Sequence, residues 1–299
     1  MSPIELEMSW RMQQWTKLQQ SPNWPHLTSQ EIRDLDLYRG AAGIWRDKNR
    51  TEYLSANGVA VSIMNTAGNY GDEIEGDLMI YDYPKTARSE SQDLGEISSL
   101  KNAMLLKIPI FVISEVSGGR KNVRLGWVTS CEDSASACLV TLDQEPAISF
   151  NPLEDLSSEF VAKINRKLTE TQVKRIERDP GFKFKSLTLY KSTCAVTDVT
   201  VEKMLDAAHV IPVADGGPDD VRNSLLLNAS VHRAFDAHFW AIEPDTLQIA
   251  TRVTGPSLEQ MKITRSSISH LVETPHIEAL EHRWKSFERA AGGRILLAG

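Results

Sequence analysis

Between residues 59 and 142 the chain repeats short apolar runs separated by polar turns. Val59–Ile63, Leu78–Tyr81, Ile108–Ile113, Val123–Val128 and Cys138–Leu142 are rich in β-prone residues, the pattern of strands. One stretch, Glu96–Lys107, carries helical spacing and interrupts them. Ahead of the strands, Met8, Met12, Trp15 and Leu18 recur at helical spacing. Pro3 suits a first turn, and Pro22 and Pro25 stop the run. This predicts a helix over residues 3–20 whose apolar stripe packs on a neighbour. Residues 150–178 read as a charged helix closed by Asp179-Pro180-Gly181, and residues 257–290 return to helix. The expected fold class is α+β: a helical extension (1–36), a β-rich domain (37–149), a helical basic connector (150–180), and a second domain with C-terminal helices (181–299).

The second domain holds the sharpest local pattern. Ala208-His209-Val210-Ile211-Pro212 is followed by Gly216-Gly217, Asn223-Ser224-Leu225-Leu226-Leu227, His232 and Phe235-Asp236. Asn223 lies 14 residues after His209, His232 another 9 on, and Asp236 a further 4. An apolar run ending in His reads as a strand end, and Gly-Gly with Pro218-Asp219-Asp220 reads as a loop. His232 and Asp236, at i and i+4, share one face of a helix. A single histidine beside apolar residues is ordinarily a core histidine; the whole string at this spacing is not. It resembles the HNH, or ββα-metal, nuclease motif. The resemblance implies that His209 is the general base, that Asn223 orients it or binds metal, and that His232 belongs to the metal site with Asp236. Where many family members carry a ligand directly before the first His, this chain has Ala208. Asp206 points to the same side of a strand and could replace that ligand, as could a water. Cys194-Ala195-Val196-Thr197 lacks the second cysteine of the family's zinc knuckle, so no structural zinc is expected.

Composition narrows the setting. With 299 residues and 41% hydrophobic content, the chain can build two cores. Its net charge of −7 is not that of a protein that coats DNA nonspecifically. Yet residues 163–191 carry nine cationic against three acidic side chains, a local +6 just before the nuclease motif. Lys183, Lys185 and Lys191 are therefore candidate phosphate contacts. Three cysteines, Cys131, Cys138 and Cys194, are an odd and sparse set, which argues for a reducing compartment without disulfides. No apolar stretch of membrane-spanning length and no signal peptide is evident, which predicts a cytoplasmic protein with no membrane partner.

In the first domain, Ala60 to Tyr81 reads as a strand, a Gly-containing loop with Tyr70, an acidic pair, a turn and a second strand ending in Tyr81. Asn102-Ala103-Met104 and Ile108-Pro109-Ile110-Phe111-Val112-Ile113 follow. This resembles the SRA domain, a reader of 5-methylcytosine in the PUA-like β-barrel superfamily; Arg124-Leu125-Gly126-Trp127-Val128 departs from the family pattern. The resemblance implies a flipped-base pocket. Tyr70 and Tyr81 would stack on the base, Asp72 or Glu73 would accept from its exocyclic amine, and backbone near Ala67 and Gly68 would meet its Watson–Crick edge.

Together these resemblances imply a modification-dependent, type IV-like restriction endonuclease. It would act on double-stranded DNA carrying 5-methylcytosine or 5-hydroxymethylcytosine. Mg²⁺ would serve as cofactor, with Mn²⁺, Co²⁺ or Ni²⁺ tolerated by mixed His and carboxylate ligands. One nuclease site per chain implies a homodimer for cutting both strands. Two alternatives stay open: a modified-DNA binder whose nuclease has decayed, for which Ala208 speaks, and an HNH nuclease carrying an EVE- or ASCH-type reader.

Overall fold

The computed structural model describes residues 2–40, 43–65, 73–84, 90–146, 151–163 and 180–298. The chain divides into two compact units, Met1–Phe150 and Asn151–Gly299.

The first unit begins with helices α1 (Pro3–Gln19) and α2 (Ser29–Asp34), each started by a capping box: Ser2 with Glu5, and Thr28 with Glu31. Strand β1 (Gly43–Arg46), a short helix α3 (Lys48–Thr51), and strands β2 (Ala60–Asn65), β3 (Glu73–Glu75) and β4 (Leu78–Asp82) follow. Helix α4 (Glu90–Leu105) leads to β5 (Ile110–Glu115), β6 (Lys121–Glu132) and β7 (Ala137–Leu142). All seven strands form one mixed sheet in the order β1-β2-β5-β6-β7-β4-β3, with β2 and β5 its parallel pair.

The continuous apolar runs have a physical cause: apolar clusters cover both faces of the sheet. Along β5, Ile110 and Val112 pack with Leu100 and Ala103 of α4. Their neighbours Phe111 and Ile113 pack with Leu18 of α1 and Ile32 of α2. At Gly126 a Cβ would sit 2.8 Å from both Val112 and Val140 on the flanking strands, so only glycine fits there.

Four expectations need correction. Helix α1 forms where predicted and packs Leu18 and Trp15 on the core, but its buried residues also include the polar Glu7, Arg11 and Gln14, while Met12 is exposed. Arg11 is fully buried. It donates to Glu7 at 2.7 Å and to the carbonyls of Ala60 (2.7 Å) and Pro109 (2.6 Å). Burial pushes its pKa down to about 10, opposed by the charge of Glu7. Second, Cys131 and Cys138 face each other across β6 and β7 and are joined by a disulfide, so the sparse cysteine count does not speak for a reducing setting. Third, the described part of the expected connector helix, residues 151–163, contains only a 3-10 turn, Glu154–Ser157; the cationic residues from Arg166 to Arg178 lie outside the described residues. Fourth, residues 257–276 are loop and turn, because the amphipathic pattern that buries Ala279, Leu280, Arg283 and Phe287 starts only at Ile277.

The second unit contains α5 (Pro180–Leu189), β8 (Leu205–His209), β9 (Ser224–Asn228), α6 (Ala229–Asp236), β10 (Trp240–Ile242), β11 (Ile249–Arg252), α7 (Ile277–Ala291) and β12 (Ile295–Leu297). β8 and β9 form a two-stranded antiparallel ribbon, and β10, β11 and β12 a separate three-stranded sheet. Among the described residues no helix is long and apolar enough to cross a membrane.

Candidate active site

The ribbon and the helix after it form a ββα unit. Leu205, Ala208 and Leu225–Leu227 bury its apolar side. Asn228 ends β9 and caps α6, its side chain accepting from Ser230 N at 2.9 Å. Val231 and Phe235 turn inward, and Trp240 donates its indole N–H to the Val231 carbonyl at 3.1 Å. His232 and Asp236 therefore share the other face of α6, as the i,i+4 spacing predicts.

His209 closes β8 opposite Ser224. Its ring stacks on Phe182 of α5 at 4.0 Å and 19°. Its Nε2 lies 2.9 Å from Asp219 Oδ1 in the loop between the strands. Neither Phe182 nor Asp219 was singled out in the sequence. Pro-Asp-Asp there signals a turn, and nothing in linear spacing tells which carboxylate turns back to the strand.

Asn223 is buried completely, and all its bonds serve the loop. Its Oδ1 accepts from Ile211 N at 2.8 Å, while Nδ2 donates to the carbonyls of Ile211 (3.1 Å) and Pro218 (3.0 Å). Its own backbone accepts from Val210 N and donates to Asp220 O, both at 2.8 Å. The chain crosses so tightly that a Cβ on Gly217 would sit 1.9 Å from Ile211 O. In this structure the side chain of Asn223 bonds to the backbone of Ile211 and Pro218 and so fastens the strand end to the loop.

His232 sits between two carboxylates. Its Nδ1 is 3.1 Å from Asp206 Oδ2 on β8, and its Nε2 is 3.3 Å from Asp236 Oδ2. Asp206 of β8 is thus a direct partner of His232. Because the two ring nitrogens point away from each other, the carboxylates flank opposite edges. Among the described residues no group of three or more His, Cys, Asp or Glu side chains converges on one point as a metal cage. The donor chemistry nonetheless fits a divalent ion at the Asp206–His232 edge, which offers one carboxylate oxygen and one imidazole nitrogen.

Arg283 of α7 is a further residue that spacing did not reveal. It is 3% exposed, donates to the Phe235 carbonyl, stacks on the Phe235 ring at 3.9 Å, and lies 3.7 Å from Asp236 Oδ1. Burial lowers its pKa to about 10, with Asp236 opposing. Burial, then the cations Arg283 and Arg252, lowers the pKa of the neighbouring His238.

Of the candidate phosphate contacts, Lys191 is exposed just beyond α5 and Lys183 is half-buried. Lys185 is paired at 2.9 Å with Asp155, which also accepts from Val221 N. Cys194 is buried, with Asn228 N donating to its Sγ at 3.3 Å. In the first unit, Ala67, Gly68, Tyr70 and Asp72 lie outside the described residues, and Glu73 is described only as backbone at the start of β3. Tyr81 is wholly buried in the core between sheet and α4.

The ββα unit carries His209, His232, Asp206, Asp219 and Asp236. Residues 194–243 match the family model of the HNH endonucleases, and this segment is an HNH endonuclease domain. Among solved structures, the chain is similar to a modification-dependent restriction endonuclease, TagI, at 19% identity and a TM-score of 0.34, over 88% of this chain and 91% of that one. It is also similar to the SRA domain of SUVH5 in complex with hemi-methylated CG DNA, at 21% identity and TM-score 0.29, over 41% of this chain and 89% of that one. A third is KRYPTONITE with mCHG DNA, at 16% identity and TM-score 0.30, over 41% of this chain and 32% of that one. The search of curated proteins gives no match.

Proposed function

We propose that the chain is a metal-dependent endonuclease whose first unit reads a modified cytosine in double-stranded DNA. The observation that carries the nuclease half is the convergence, within the HNH segment, of His209–Asp219 and Asp206–His232–Asp236 on one ββα unit. In the proposed reaction His209 takes a proton from water, whose oxygen bonds to phosphorus as the bond to the leaving oxygen breaks. The leaving oxygen and the imidazolium then exchange their protons with solvent. Asp206 and His232 Nδ1 are the groups that would hold a divalent ion, Mg²⁺ or Mn²⁺. When bound, it supplies positive charge against the phosphate and leaving oxygen. Asp236 then acts as the acceptor for Nε2–H, fixing the ring of His232 from its far edge, and Arg283 fixes Asp236. Asn223 acts as a positioning residue.

The reader half rests on the sequence pattern through Tyr70, Asp72 and Glu73. Tyr70 is the proposed stacking face; Tyr81, being inside the core, supports the sheet instead. Two copies meeting on DNA would be needed to cut both strands.

The nuclease half is tested by plasmid nicking with purified protein over a Mg²⁺ and Mn²⁺ series. EDTA should abolish cleavage, and Asp206→Ala or His232→Ala should raise the metal needed by roughly 10–100-fold or end activity. Cleavage that persists in EDTA, or an unchanged metal requirement in both variants, contradicts the reading.

A further inference from the structure

The carboxylate beside His209 has a role that follows from its placement. We propose that Asp219 is the positioning residue of the general base, and that Nδ1 of His209 is the nitrogen that takes the proton; this rests on the endonuclease reading of the site. A carboxylate only accepts hydrogen bonds, so the 2.9 Å contact to Asp219 Oδ1 puts the ring proton on Nε2. Nδ1 is then the lone-pair nitrogen, and among the described residues it has no hydrogen-bond partner. The ring cannot turn freely, because Phe182 lies against its face at 4.0 Å.

The loop around Asp219 is built to keep it there. Both neighbours in the chain are fastened to Asn223: Pro218 O accepts from Asn223 Nδ2 at 3.0 Å, and Asp220 O accepts from Asn223 N at 2.8 Å. Asp220 is tied in turn to Arg222 through its guanidinium at 2.7 Å and its backbone N–H at 2.8 Å. The order of action is therefore Asn223 on the loop, the loop on Asp219, and Asp219 on the imidazole. When His209 becomes an imidazolium, the carboxylate also stands 2.9 Å from the new charge.

The test uses the full chain and two readouts. Long-range proton–nitrogen NMR of histidine-labelled protein, with His209 assigned by its loss in His209→Gln, should show the Nε2–H tautomer at neutral pH. Single-turnover cleavage by Asp219→Ala should fall roughly 10–100-fold, the size of an outer-shell hydrogen bond behind a reactive ring, while the DNA Kd stays within about twofold. Asp219→Asn keeps the side chain's size, should also cut more slowly than wild type, and carries the test if the alanine variant does not fold. A wild-type Nδ1–H tautomer overturns the proposal. So does an Asp219 variant that cuts at the wild-type rate, and both results leave the nuclease reading intact. Wild-type protein that never cuts removes the reading itself.

Discussion

Replacing Asn223 separates two roles that the sequence pattern alone leaves together. Asn223→Ala deletes three buried hydrogen bonds, to Ile211 N, Ile211 O and Pro218 O. A net hydrogen bond is worth roughly 1 kcal/mol, and a stranded buried N–H such as that of Ile211 adds roughly 1–3 kcal/mol, so the expected cost is about 4–6 kcal/mol. For a unit of about 150 residues this lowers the melting temperature by roughly 10–20 °C. The same clamp explains why Gly217→Ala, with its Cβ 1.9 Å from Ile211 O, should be at least as damaging. Asn223→Asp is the decisive variant. It would set a carboxylate oxygen against the carbonyls of Ile211 and Pro218, where Nδ2 now donates, so it should destabilise the unit as strongly as alanine. A metal ligand changed from amide to carboxylate would instead bind the ion more tightly. Thermal unfolding followed by tryptophan fluorescence, beside a metal titration of cleavage, reads both effects. An Asn223→Asp protein with unchanged melting temperature and a lower metal requirement would refute the clamp.

Three further outcomes follow from the contacts. Arg283→Met removes the hold on Phe235 O and Asp236, and should raise the metal needed for cleavage about tenfold or more while DNA affinity is unchanged. Lys191→Glu should weaken modified and unmodified DNA alike and flatten the salt dependence, whereas Lys185→Glu, set against Asp155 at 2.9 Å, should lower stability first. Tyr70→Ala should erase roughly 1–3 kcal/mol of preference for modified DNA. Tyr81→Ala should instead lower the melting temperature, because Tyr81 is core; equal losses on both DNAs in the Tyr70 variant would remove it from the pocket.

Much of this arrangement was legible in the chain because period and spacing encode it directly. The apolar runs placed β2, β4, β5, β6 and β7 to within a few residues, and the His232/Asp236 spacing placed both side chains on one helical face. What escaped were features set by three-dimensional pairing. The short strands β1 and β3 carry little pattern of their own. The buried residues of α1 include the ion pair Glu7–Arg11, and Arg11 donates to carbonyls 49 and 98 residues away in the chain. Of the apolar stripe on the same helix, Leu18 and Trp15 do pack on the core, and only Met12 turns out to solvent. Asp219 and Arg283 reach the site through a loop turn and a distant helix, contacts that leave no period in the sequence. Asn223 was visible as a residue of the motif, but only its hydrogen bonds distinguish a fastener from a ligand.

The most direct measurement of the central claim is cleavage of matched duplexes, one carrying 5-methylcytosine and one unmodified, by wild type and His209→Ala over a divalent metal series, with DNA binding followed in parallel. The account predicts metal-dependent cutting of the methylated duplex in preference to the other. It also predicts a loss of roughly 10²–10⁴ in rate for His209→Ala, with binding nearly intact. Cleavage by His209→Ala within about threefold of wild type would contradict the assigned base. Equal cutting of both duplexes by wild type would contradict the reader.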